Sequence, residues 1–417
     1  MAAKHSHPVP WLLVAFLAAQ PASTDVYLPA LPALGNQFAA SSGQVQLTLS
    51  VFIGGFAVAQ LLAGPLSDRF GRRPVVLAGA ALLSIALLAG ALAPSLGWLV
   101  AARFLQALGV CCLVVCARAI VRDRYSPAEG AHVMARVLAW MGLAPLLGPA
   151  LAGLSLPWIG WRGLFGVLGL FALVLLWVAW RSLQESNRHR NRHALAPAQL
   201  LRNYVFIARH GEFWAYALTG AASFCALFSF ISGSPYVVIN VLGHPPWVFG
   251  LVFSLATAAF ILGTTLLARW LPRVGPRVLM LRGASLSAAC GLTMAGFVVA
   301  GVQSLATLLV PMLGVMIAHG LINASAQVAA VAPFPANAGA AAALNGFQMH
   351  VWGALIGMWI GISYDGTLAP LTYTIAALTA LLALVAHTLV RRFAPHHDEQ
   401  SPMHTGGRPE PMAAPRP

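Results

Sequence analysis

Runs of about twenty apolar residues recur along the whole chain, separated by short turns that carry most of its charge. An α-helix rises 1.5 Å per residue, so about 20 apolar residues cross the roughly 30 Å hydrocarbon core of a bilayer. About twelve such runs are legible, at 10–32, 45–66, 74–93, 97–118, 131–153, 163–183, 212–233, 246–268, 277–299, 304–326, 340–363 and 369–392. Lipid cannot hydrogen-bond a bare backbone, and spans of this length satisfy it internally as helices. Only 8% of residues are charged, against roughly 25% in a soluble domain. Such a chain cannot cover a water-facing surface. The expected fold is an all-α membrane protein with about twelve transmembrane helices.

The net charge of +14 would raise the question of nucleic acid in a soluble protein. Here the basic residues sit in alternate loops. Arg69, Arg72, Arg73, Arg122, Arg124, Arg269, Arg273 and Arg277 fall on one side, together with the arginines of the longest connection, Lys4, Arg391 and Arg392. Only Arg162 falls in a loop on the other side. Positive charge stays cytoplasmic, so both termini are expected inside. The basic excess is a topology signal that also suits anionic lipid headgroups, and no nucleic-acid partner is expected. The five cysteines all lie in apolar runs and read as small buried residues. The first run ends in Tyr27, Leu28 and Pro29 without a small-residue cleavage site, so it reads as a retained helix.

The longest connection, 184–211, divides the chain into an N-terminal bundle (1–183) and a C-terminal bundle (212–393) of six helices each. A Pro-, Gly- and His-rich tail, 394–417, is expected to be a disordered cytoplasmic extension. The halves echo each other. Gly64-Pro-Leu-Ser-Asp68-Arg69-Phe-Gly71-Arg72-Arg73-Pro74 joins the second and third runs, and Ala268-Arg269-Trp-Leu-Pro-Arg273-Val-Gly275-Pro-Arg277 joins the eighth and ninth. Repeated halves let two bundles rock about a central site, a habit of secondary transporters.

These residues carry a family resemblance. Gly64 to Pro74 resembles the loop signature of the major facilitator superfamily, and Leu99-x-x-x-Arg103-x-x-Gln106-x-x-Gly109 resembles its helix-4 motif. Ala144-Pro145-Leu-Leu-Gly148-Pro149-Ala-Leu-Ala-Gly153 resembles the helix-5 motif of its proton antiporters, with Ala152-Gly153 where Gly-Gly is common. Thr24-Asp25-Val-Tyr27-Leu-Pro29, Ala117-Arg118 to Asp123, Gly160-Trp161-Arg162 and Ser232-Gly-Ser-Pro235 are similar to the Bcr/CflA drug-resistance branch. The resemblance implies two pseudo-symmetric six-helix bundles in a bacterial inner membrane. It also implies proton-driven export of small drugs of the bicyclomycin, chloramphenicol or sulfonamide type, or of related metabolites. The alternative is a proton-linked metabolite exporter or symporter of the same fold with no resistance role. A monomer without cofactor or metal is expected.

Of the ten acids, only Asp25 lies deep in an apolar run. A charged carboxylate at mid-bilayer costs roughly 3 kcal/mol or more, so it reads as a proton-coupling site, or else as a capping residue within the Pro21–Pro29 stretch. Arg103 falls at a comparable depth and would favour the charged carboxylate; the other reading has it bonding backbone carbonyls. Gln106 lies on the same face and suits either role. The loop residues Gly64, Asp68, Arg69, Gly71, Arg72 and Arg73 are at least a topology determinant. Family analogy makes them a latch in which Asp68 caps the eleventh helix, near Gly339, in one state. Pro145, Gly148, Pro149 and Gly153 are expected to bend the fifth helix and allow close packing that seals the path. In the family fold the first, fourth, seventh and tenth helices face the cavity, which gives Tyr27, Cys112, Phe224, Phe228, Ser232, Asn323 and Gln327 as lining candidates beside Gln106. His319, His350 and His387 read as hydrogen-bonded interior residues or, less readily, as a relay. Paired carboxylates, metal-ligand spacings, a Ser-centred elbow and a phosphate loop are missing from the sequence, which argues against an enzyme or an ATP-driven pump.

Overall fold

The computed structural model describes residues 10–188 and 190–393. Lys4 and the 394–417 tail lie outside the described residues. The described chain is helical throughout: α1 (Pro10–Asp25), α2 (Leu31–Phe38), α3 (Ser42–Phe70), α4 (Arg72–Ala91), α5 (Leu96–Arg124), α6 (Pro127–Met141), α7 (Leu143–Ser182), α8 (Pro197–Ala208), α9 (Gly211–Tyr236), α10 (Pro246–Val274), α11 (Pro276–Val299), α12 (Leu305–Val331), α13 (Ala338–Ser363) and α14 (Ala369–Val385). Large apolar side chains face outward, Trp158 at 81% and Val299 at 76% exposure among them, as a lipid-facing surface requires.

Nine helices among the described residues are long and apolar enough to cross a membrane. Three features bear on the expected twelve. Ala128–Ser182 is read as one span, but Gly160, with φ 63° and ψ 178°, breaks it into two rods. The first span is α1 and α2 joined by a 3-10 turn at Leu28–Ala30. That turn carries the run past the expected end at Pro32 to Phe38, because Pro29 and Pro32 begin new turns instead of stopping the chain. Helix α13 is not among the nine; Asn345, Gln348 and His350 interrupt its apolar surface and are buried in the protein.

The 184–211 connection is more ordered than its charge implies. It contains α8, with Pro at N1 and Ile207 fully buried, and Tyr204 Oη donates to the Leu61 carbonyl at 3.0 Å. Its apolar residues fall on one stripe that a scan for continuous apolar runs passes over.

The repeat is visible in the backbone. Gly71 (φ 104°, ψ 159°) links α3 to α4, and Gly275 (φ 78°, ψ 158°) links α10 to α11. Both angles lie where a Cβ is strained, so each basic turn is built on a glycine. In the first half α5 packs on α3 and α4, and α7 on α4; in the second half α12 packs on α10 and α11, and α9 on α12, α13 and α14. Two seams join the halves, α3 against α13 and α7 against α10. Exchanging the halves maps one seam onto the other.

Both seams are tight at the end opposite the basic loops. Ser42 Oγ donates to the Gly361 carbonyl at 3.2 Å. A Cβ on Gly153 would meet the Pro246 carbonyl oxygen at 2.6 Å, and one on Gly250 would meet Ala150 at 2.5 Å. Small residues thus set how closely the backbones approach.

Candidate functional site

Asp25 ends α1 and is 6% exposed. Thr24 Oγ1 donates to its Oδ1 at 2.7 Å. Because the first span continues to Phe38, Asp25 lies about 20 Å from that end at 1.5 Å per residue. The run that ends at Pro32 in the sequence puts Asp25 seven residues, about 10 Å, from its end; the structure doubles that and sets Asp25 near the middle of the first span.

Arg103 is fully buried on α5. Its Nη1 donates to the Ser23 carbonyl and to Gln106 Oε1, each at 2.7 Å, and its Nε donates to the Thr48 carbonyl at 3.2 Å. The guanidinium lies 4.2 Å over the Tyr27 ring and 4.3 Å over the Phe52 ring. It therefore ties α1, α3 and α5 together. The ion pairs among the described residues do not include Asp25 with Arg103. Of the two sequence readings, the carbonyl-bonded arginine is the one observed. Arg103 Nη2 and Gln106 Nε2 are buried without a partner.

The cavity candidates divide. Phe224 and Phe228 stack at 5.8 Å, and His350 sits 5.3 Å from Phe224 and 4.9 Å from Phe56, so an aromatic layer spans α3, α9 and α13. Ser232 is buried one turn beyond Phe228 on α9. Gln327 Nε2 donates to Asn323 Oδ1 at 2.9 Å on a half-exposed face of α12. Two candidates pack against neighbouring helices. Tyr27 lies beneath Arg103, edge-on to Phe165 and bonded to Thr48, and the Leu28–Ala30 turn that follows it packs on α9 and α10 of the second half. Cys112 faces α4, where its Cβ occupies the space beside Gly79.

The basic-loop motif binds within its own half. Arg72 pairs with Asp68 at 2.6 Å and with Asp123 at 3.0 Å, and Ser186 Oγ donates to Asp123 at 3.1 Å. Arg73 Nε donates to the Leu183 carbonyl, and Arg69 lies over the Phe70 ring. Space around Gly64 is open. The carboxylate expected to cap α13 is thus engaged by Arg72, and Asn337, which precedes α13, gives it no side-chain cap. Glu185 supplies a cap that sequence reasoning missed. Its oxygens accept the backbone N–H groups of Arg72 (2.8 Å), Arg73 (3.2 Å), Ser186 (3.0 Å) and Asn187 (2.9 Å). A cavity of about 740 Å³ lies over this network, lined by Asp68, Asp123 and Glu185 among others.

The helix-5 motif forms the α7–α10 seam. Pro149 has no N–H to give to the Pro145 carbonyl; Thr257 Oγ1 of α10, which donates to the Phe253 carbonyl at 2.9 Å, approaches that carbonyl at 3.5 Å. Ser254 Oγ donates to the Leu146 carbonyl at 2.5 Å. Gly153 admits Pro246, and Gly148 lies against Val26 of the first span. His319 bonds Ser223 at 2.8 Å, and His350 and His387 bond the Gly346 and Ala383 carbonyls.

Sequence reasoning also passed over Gln46, Ser50 and Tyr236, all buried polar residues in apolar helices. The available signal was their polarity within a span.

The family model for the Major Facilitator Superfamily matches residues 12–358. A bicyclomycin resistance protein homolog of Haemophilus influenzae is 27% identical over 89% of this chain and 93% of its own length. The chloramphenicol resistance protein of Pseudomonas aeruginosa is 35% identical over 61% of this chain and 60% of its own. Multidrug resistance protein MdtL of Escherichia coli is 28% identical over 82% and 84%. Among solved structures, the xylose transporter XylE of E. coli superposes with TM-score 0.72 at 15% identity over 95% of this chain and 100% of that one. A bacterial homolog of the lysosomal transporter Spinster gives 0.69 at 16% identity over 94% and 98%. With a family match over most of its length and the same fold, this chain is a multi-pass membrane transporter, not an enzyme, and belongs to the Major Facilitator Superfamily.

Proposed function

We propose that this transporter is a proton-coupled antiporter that exports small drugs or related metabolites across a bacterial inner membrane by alternating access. In this reading the chain crosses the membrane twelve times as two six-helix bundles, with the basic end and both termini cytoplasmic. Asp25 carries the reading: it is a buried carboxyl near mid-bilayer whose hydrogen bond comes from Thr24 and not from a cation. A carboxyl held that way changes charge at acceptable cost when one side and then the other admits water. Arg103 holds the Ser23 carbonyl two residues away and so fixes the position of Asp25. The relatives named for bicyclomycin, chloramphenicol and multidrug resistance support export of such compounds. The glycine and proline contacts of the α7–α10 seam support a sealed interface on which the halves turn.

The test is gradient-driven uptake of labelled chloramphenicol into inverted vesicles. One pH unit supplies about 1.36 kcal/mol per proton, so roughly tenfold accumulation per coupled proton. Asp25→Asn, fixed neutral, should abolish accumulation while leaving downhill exchange, and Asp25→Glu should retain part of it. Full accumulation by Asp25→Asn would refute the coupling site. A metabolite symporter would instead show uptake running down the proton gradient, in the same direction as the protons.

A further inference from the structure

Nine buried polar atoms among the described residues have no hydrogen-bond partner. Five of them belong to four residues: both Gln46 amide atoms, Ser50 Oγ, Ser232 Oγ and Tyr236 Oη. Their exposures range from 0% to 6%. Leaving such groups unbonded inside a membrane protein is costly, and a concentration of them in one place marks a ligand's position.

The four share one geometry. Gln46 and Ser50 stand at i and i+4 on α3, and Ser232 and Tyr236 stand at i and i+4 on α9, so each pair lies on one helix face. Gly357 and Gly361 repeat the spacing on α13. A Cβ on Gly357 would sit 2.9 Å from Ser50 Oγ and 3.2 Å from Ser232 Oγ, and one on Gly361 would sit 2.6 Å from the Gln46 side chain. The two serine hydroxyls, one from each half, therefore converge on the same glycine. The site lies at the closed end of the path, beyond the Phe224–Phe228 stack, just inside the Ser42–Gly361 contact.

We propose that Gln46, Ser50, Ser232 and Tyr236 form a docking subsite for an uncharged ligand group bearing neighbouring hydroxyl or amide functions. This rests on the transport reading and names the chemistry of its cargo. An amide, two aliphatic hydroxyls and a phenol present both donors and acceptors and no formal charge. An ion needs partners of one sign; a diol or an amide needs this mixture. A site that demands hydrogen bonds rejects ligands without them, because its own groups then stay unpaired. Residues from both halves hold the ligand together, so its binding is tied to the closed state of that end.

The test uses purified full-length protein in detergent, with chloramphenicol as the uncharged diol–amide probe and tetraphenylphosphonium as a cation without hydrogen-bonding groups. Ser50→Ala, Ser232→Ala and the near-isosteric Tyr236→Phe are compared with wild type for affinity and for the Tm of the ligand-free protein. Each substitution should weaken chloramphenicol roughly two- to twelve-fold, the worth of one hydrogen bond, and leave tetraphenylphosphonium unchanged. Each should also raise the ligand-free Tm, because an unbonded polar group has been removed. A merely structural hydroxyl would lower it. No binding of chloramphenicol to wild type, equal affinity in the variants, or a lowered ligand-free Tm in all three would each overturn the assignment. Failure of the transport reading shows separately, as intact binding without gradient-driven uptake.

Discussion

Replacing Glu185 measures how far the connection between the halves braces the basic end. Its two oxygens accept four backbone N–H groups: Oε1 takes those of Arg72, Ser186 and Asn187, and Oε2 takes that of Arg73. Two of these are free N–H groups of the first turn of α4, which has no side-chain cap of its own at Gly71. A hydrogen bond to a charged group contributes about 1.5–3 kcal/mol, and a carboxylate at a helix N-terminus adds about 0.3–1 kcal/mol. Glu185 is half-buried, so water recovers part of what Glu185→Ala removes. The expected net loss is about 2–3 kcal/mol. Glu185→Gln keeps a carbonyl where Oε1 stands and so keeps three of the four bonds. It loses the Arg73 bond and the charge, so its loss should be less than half that of alanine. The assay is thermal unfolding of the purified protein at fixed detergent and salt. Equal losses for alanine and glutamine would show that charge, not the hydrogen-bond geometry, does the bracing. Unchanged stability in both would remove Glu185 from the structural account.

Asp68→Asn breaks the pair with Arg72, which keeps its Asp123 bond; initial export rates should fall while membrane insertion is unchanged, and an unchanged rate would make Asp68 a topology residue only. Thr257→Val removes a buried hydroxyl that bonds the Phe253 carbonyl at 2.9 Å and stands 3.5 Å from the Pro145 carbonyl; it should cost about 1 kcal/mol, read as a lowered Tm, whereas the same change at exposed Thr265 should cost little. Reporter fusions after Arg192 and after Phe393 should both report a cytoplasmic location; a periplasmic signal from either would overturn the orientation.

The basic turns were legible because their constraint is local. A short charged turn built on a glycine can be read residue by residue, and Gly71 and Gly275 have the backbone angles such turns need. Asp25 was legible because an acid is conspicuous in an apolar run. Its depth was misjudged because Pro29 and Pro32 look like a stop, whereas the chain uses them to start the 3-10 turn and α2. Helix α8 was missed because Gln199, Arg202 and Asn203 interrupt its apolar residues within twelve positions.

The sequence by itself determined that the chain is a bundle of membrane helices with basic loops on one side and a repeated half. Lipid imposes length and apolarity on each segment separately, and those properties can be read along a single strand of text. Tertiary structure decided which side chains meet. Arg103 on the Ser23 carbonyl, Glu185 on the α4 N-terminus and the Ser50–Gly357–Ser232 convergence all join residues far apart in the chain. In a soluble protein, amphipathic periodicity would announce which face of each helix turns inward. In a bilayer the outer face is as apolar as the core, so that signal fades. Rotation and tilt of the helices, on which every contact at the site depends, are fixed only when the helices pack.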